Sequence, residues 1–151
     1  MKLVVTVGNE MMGDDAAGPL LARKLLAAPL DAWELLEGGS TPENHVHRIR
    51  EMSPERVVIV DAAEMDMGVG ESRVIEPEEI GSLFLVTTHT LPLNFFMEAL
   101  GEFVPQVSMI GIQPGTVAFG YPVSAKVEEA VERVYRWLKE EAEILDVAEA
   151  T

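Results

Sequence analysis

Asp15, Asp61 and His89 are the side chains of this chain whose types and settings can do chemistry together. Asp15 ends the turn Gly8-Asn9-Glu10-Met11-Met12-Gly13-Asp14, where a β-branched apolar run gives way to helical spacing. Asp61 closes the apolar run Val57-Val58-Ile59-Val60, and His89 stands in Thr87-Thr88-His89-Thr90, just ahead of Leu91-Pro92-Leu93-Asn94. Two carboxylates and one imidazole are hard-to-borderline donors that accept nickel or zinc and leave several coordination positions open. Each residue also has a plainer role. Asp15 suits the N-cap of a helix, Asp61 can cap the turn after its strand, and a lone histidine before a helix is commonly a hydrogen-bonded loop residue. Asp14 reads as a plain cap or a solvated neighbour. Only the coincidence of the three raises a site above these alternatives.

The elements that must bring them together follow from hydrophobic spacing. Leu3–Val7 is a short buried strand ended by Gly8. Over Asp15–Ala28, Ala17, Leu20, Leu21, Leu25 and Leu26 recur at helical spacing with Arg23 and Lys24 off that face, and Asp14 or Asp15 can cap the helix. Trp33–Leu36 predicts a second strand stopped by Gly38-Gly39. Ser40-Thr41-Pro42-Glu43 has capping-box spacing with proline at a helix start, and the helix runs to about Met52. Arg56–Ala62 is continuously apolar up to Asp61, as parallel strands covered on both faces are. Ser72–Ile75 is a shorter strand after Gly68-Val69-Gly70, and Pro77–Val86 fits either a short helix or an extended segment. Thr90 can cap a helix to Leu100, Val107–Ile112 is the last strand, and Ser124 to about Ile144 is a long amphipathic helix. Alternating strands and helices predict one α/β domain over residues 1–151, with a sheet between helical layers. Asp15 and Asp61 then leave strands at the carboxyl edge, where open α/β sheets bind ligands.

Composition narrows the function. A chain of 151 residues, 48% hydrophobic, can bury a core without disulfide or structural metal. It contains no cysteine, which excludes a thiolate nucleophile, a cysteine zinc site and an iron–sulfur cluster. A net charge of −15 repels phosphate backbones, so no nucleic-acid partner is expected. The start Met1–Val7 is too short and too β-branched for a signal peptide, and no run reaches membrane-span length. A cytoplasmic chain without membrane insertion is the expectation.

Several motifs are missing. Gly8 and Gly13 do not form a dinucleotide fingerprint, and no Lys-Ser/Thr follows to make a phosphate loop. The nucleophile elbow, the pepsin-like dyad and His-Glu-x-x-His are likewise absent. His45 and His47 lie two apart on a helix and cannot jointly face one ion. Met11, Met12, Met65 and Met67 crowd the candidate loops, either as gap fillers or as an adaptable docking surface.

Five segments in order carry a resemblance over essentially the whole chain. They are Val7–Pro19, Gly38–Asn44, Ile59–Ala62, Thr87–Leu93 and Gly111–Pro114. They resemble the nickel–iron hydrogenase maturation proteases, most nearly the branch that processes the large subunit of hydrogenase 3 in formate hydrogenlyase systems. The resemblance implies a five-stranded mixed, mostly parallel sheet in the order 2-1-3-5-4 between helices. It implies an endopeptidase that removes a C-terminal extension from a hydrogenase large-subunit precursor once nickel is inserted. Its metal-contacting acidic, acidic and histidine positions fall on Asp15, Asp61 and His89. The nickel would be carried by the precursor, with no tightly bound resident cofactor. Whether the metal polarises the bond or an aspartate activates water is left open, as are oligomeric state and a rival role as a non-cutting nickel-dependent chaperone.

Overall fold

In the computed structural model, the backbone is described for residues 1–79 and 90–150, with side chains for residues 1–79 and 93–141. The strands are β1 (Lys2–Val7), β2 (Trp33–Gly39), β3 (Arg56–Ala62), β4 (Ser72–Ile75) and β5 (Gln106–Ile112). They form one sheet in the order β2-β1-β3-β5-β4. The first four in that order run parallel, and β4 pairs antiparallel with β5 at the edge. Helices α1 (Ala17–Ala27) and α4 (Ala125–Ala150) cover one face, and α2 (Val46–Met52) and α3 (Thr90–Gly101) cover the other.

Side-chain alternation sorts the strands between two cores. Leu3, Val5 and Val7 of β1 and Val57 and Ile59 of β3 meet Ile49 of α2 and Leu93, Phe96 and Leu100 of α3. Val4, Val58 and Val60 turn the other way, to Leu21 and Leu25 of α1 and Val127, Val131 and Leu138 of α4. Both faces of β1 and β3 are therefore dry, which is why these strands read as unbroken apolar runs. Asp61 keeps the parity of Val57 and Ile59, so its side chain belongs to the α2/α3 face.

Several boundaries differ from expectation. β2 continues through Gly39, because a register shift between Thr6 and Val7 lets Val7 pair with Gly39. The first helix begins as a 3-10 turn at Gly13–Ala16 and becomes α-helical only at Ala17. On α1, Ala22 takes a buried place, whereas Leu26 is 62% exposed. The expected capping box between Ser40 and Glu43 does not form: the N-cap position falls on Thr41, and no side-chain bond caps the 3-10 turn Pro42–His45 that precedes α2. Pro77–Glu79 is a 3-10 turn, and the rest of the ambiguous stretch to Val86 lies outside the described residues.

Candidate active site

The order of strands reverses between β1 and β3, so the crossovers leaving these neighbours diverge and open a crevice at the carboxyl edge. Asp15 enters it from the turn after β1, and Asp61 is the penultimate residue of β3.

Backbone crowding positions Asp15. Gly8 adopts φ +141°, and a Cβ there would lie 2.1 Å from the Asp15 carbonyl oxygen. A Cβ on Gly18 would lie 2.2 Å from the Val7 carbonyl oxygen, so α1 begins hard against the end of β1. Only glycine permits both approaches. Asp15 itself is 3% exposed, and its Oδ2 accepts the Asn9 amide at 2.9 Å.

Asp14 is neither the plain cap nor the solvated neighbour that its position suggests. It is 1% exposed, and no side-chain bond caps the 3-10 turn or α1. Its Oδ2 accepts the Gly115 amide at 2.7 Å, the Thr116 amide at 3.3 Å and the Ser124 hydroxyl at 2.7 Å. Its Oδ1 accepts the Ser124 amide at 2.7 Å. One carboxylate thus ties the turn after β1 to the segment between β5 and α4. Successive side chains on a tight turn point apart, so Asp14 binding one way leaves Asp15 facing the crevice.

Asp61 is fully buried, and among the described residues neither of its carboxylate oxygens accepts a hydrogen bond. It does not cap the turn after β3. Burial pushes its pKa well above the usual carboxylate range, the nearby Asp15 charge pushes it further, and the Ala62 amide, the smallest of the three influences, pulls the other way. Beyond Asp61 the chain is held by Gln113, 3% exposed, whose Oε1 accepts the Met65 amide at 2.8 Å and the Met67 amide at 3.3 Å. Gln113 Nε2 donates to Glu64 at 2.8 Å.

The third expected residue, His89, lies outside the described residues, and α3 starts at the next position. Among the described residues no group of three histidine, cysteine or acidic side chains is arranged to hold a metal. His47 is exposed and pairs with Glu51 at 3.2 Å, one helical turn on. Sequence reasoning missed Asp14 and Gln113 as organisers, since their partners lie on loops distant in sequence.

A cleft of about 330 Å³ runs beside the Asp15 turn, lined by Thr6, Gly8, Asn9, Glu37, Gly39 and Ser40 among others. Another, of about 410 Å³, opens at the opposite, amino edge around Arg56 and Gln106. That one is far from both aspartates. A buried carboxylate pair can accept a cation, which offsets charge that burial otherwise disfavours.

Comparison with known proteins agrees with this fold. The family model described as hydrogenase maturation protease matches residues 19–141. The chain belongs to the hydrogenase maturation protease family. It is 47% identical over 137 residues to the hydrogenase 3 maturation protease of Escherichia coli strain K12, covering 91% of this chain and 88% of that one. The solution structure of the endopeptidase HycI from Escherichia coli superposes with a TM-score of 0.86 at 46% identity, over 93% of this chain and 90% of that one. The crystal structure of a nickel–iron hydrogenase maturation protease from Thermococcus kodakarensis gives a TM-score of 0.81 at 30% identity, over 94% and 92% of the two chains. As a hydrogenase maturation protease the chain is an enzyme that cuts peptide bonds, built on the expected mixed five-stranded sheet.

Proposed function

We propose that this protease removes the C-terminal extension of a nickel–iron hydrogenase large-subunit precursor, the hydrogenase 3 type, after nickel has been inserted. Asp15, Asp61 and His89 contact the nickel that the precursor carries, and the protease itself keeps no tightly bound cofactor. The observation that carries the reading is Asp61: fully buried, without a hydrogen bond among the described residues, and beside a second carboxylate. Isolated, that arrangement is costly, because a buried charge needs a partner. A cation delivered by another molecule supplies one.

The mechanism follows from that need. A precursor with nickel in place presents positive charge to the Asp15–Asp61 crevice and is drawn into register. A precursor lacking nickel brings no cation to the pair, and its tail is not aligned. Fixing the scissile bond beside the reacting groups can lower the barrier by roughly 7–11 kcal/mol at the upper end of orientation effects. Asp14 and Gln113 contribute by holding the two loops rigid, so alignment is not lost to loop motion. The reading places the reaction in the cytoplasm. Among the described residues no helix is long and apolar enough to cross a membrane.

The test is incubation with nickel-loaded and nickel-free precursor, followed by mass measurement of the products. Loss of a C-terminal fragment from the loaded form alone is expected. Cleavage of both forms would reject nickel recognition, and cleavage of neither would reject the reaction.

A further inference from the structure

Five of the nine large apolar side chains left exposed among the described residues lie on three loops, those following β1, β3 and β5. They are Met11 (56% exposed), Met67 (37%), Val69 (37%), Phe119 (70%) and Tyr121 (59%). The three strands are adjacent and parallel, so their loops emerge side by side at the carboxyl edge. The loops are also joined directly. The Gly120 amide donates to the Met11 carbonyl at 2.9 Å, placing Phe119 and Tyr121 on either side of that bond. The Gly70 amide donates to the Gln113 carbonyl at 2.9 Å, and Val69 stands against Gly115.

These loops adjoin Asp15 and Asp61, so any chain that brings a bond to the carboxylates must lie across them. Their charge is one-sided. Residues 8–15, 62–71 and 113–123 contain Glu10, Asp14, Asp15, Glu64, Asp66 and Glu71 and no lysine or arginine. Arg23 pairs with Glu10, Arg133 donates to the Gly70 carbonyl, and Lys126 of α4 packs against Gly70. Glu64, Asp66 and Glu71 have no cationic partner among the described residues.

We propose that Met11, Met67, Val69, Phe119 and Tyr121 form the docking surface for the hydrogenase precursor, which meets it with an apolar strip flanked by basic side chains. The inference rests on the proposed reaction only for the partner's identity. Apolar anchors at the centre supply affinity, and the acidic rim steers the approach of a basic partner. Methionine at two of the five positions lets the surface adapt to a partner whose tail is later lost.

The test uses the full chain with Phe119→Ser and Tyr121→Ser together, and Leu26→Ser as control. Leu26 is 62% exposed and lies at the far end of α1, by the amino edge. Affinity is read by interferometry on immobilised nickel-loaded precursor, and cleavage is read separately as loss of the tail. The double variant is expected to weaken binding and raise KM about tenfold or more with kcat unchanged, while Leu26→Ser matches the parent. Parental affinity should also fall as salt rises. Native affinity in a folded double variant overturns the docking surface, as does an equal loss in Leu26→Ser. A parental dimer that the double variant abolishes at unchanged KM overturns it as well, by assigning the surface to a second copy. Failure of the parent to cut precursor that it nonetheless binds through these residues would overturn the reaction and leave the surface standing.

Discussion

The Asp15 carboxylate stands close enough to Asp61 to raise its proton affinity, although the two residues arrive on different strands and are 46 positions apart. Burial is the larger cause, and the like charge adds to it. The pair is a local instability that the rest of the fold must hold in place.

Stability should respond to pH accordingly. Between the ordinary carboxylate range and the raised value, folded Asp61 keeps a proton that the unfolded chain has lost. Stability from this group therefore falls as pH rises through that window, and the full cost of the buried charge is present above it. Asp61→Asn has no proton to lose. At pH 7 its thermal midpoint should equal or exceed the parent's, with the difference closing as pH falls below the ordinary carboxylate range. Calorimetric midpoints across pH check this; a variant markedly less stable at pH 7 would make Asp61 a structural residue.

The same substitution should abolish precursor processing. Asparagine keeps the shape but not the charge that a cation requires, so loss of cleavage with a native fold is expected. Normal processing by Asp61→Asn in the nickel-loaded precursor assay would remove Asp61 from the reaction.

Without precursor, the protein should bind nickel, cadmium or zinc weakly, through an oxygen and nitrogen donor set without thiolate. Binding should weaken at acidic pH, where protons compete for the carboxylates and imidazole. His89→Ala should lose most of the affinity, and the His45→Ala/His47→Ala double variant should not. Titration calorimetry of the three proteins decides it, and loss confined to the double variant would relocate the site.

Asp14→Ala should be destabilising by roughly 3 kcal/mol or more, since it removes four hydrogen bonds to one buried carboxylate. Its neighbour Asp15→Asn should cost far less stability while losing cleavage. Denaturant midpoints and cleavage rates for the two variants separate the clamp from the site. Equal stability of the two would mean that Asp14 carries no structural weight.

Gly8→Ala should also unfold the site. The strained φ alone costs roughly 1–3 kcal/mol, and the clash with the Asp15 carbonyl adds to it. A native-like melting curve for this variant would show that the turn can relax.

Much of the fold is legible because both faces of its central strands are dry. Arg56–Ala62 and Ser72–Ile75 match their predicted limits, and Val57–Val60 could hardly be anything but a covered strand. Asp61 stood out for the same reason, as a charge at the end of such a run. Asp14 did not, because a carboxylate reveals its role only through its partners, and Ser124 is 110 positions away. Leu26 misled because α1 turns Leu21, Ala22 and Leu25 inward and leaves Leu26 in solvent. The strand order was expected from resemblance alone; no local pattern distinguishes 2-1-3-5-4 from its alternatives.

The long reach from Asp14 to Ser124 has a consequence for timing. A chain leaving the ribosome displays both aspartates long before the residue that clamps the first turn has been made. The early segments can form strands β1 to β3, yet the Asp15 turn stays unanchored until the last helix begins. Contacts of such sequence separation close late in folding. A half-made copy of this protease therefore carries Asp15 on an unanchored turn, and the geometry proposed for cleavage is fixed only once Ser124 has been added.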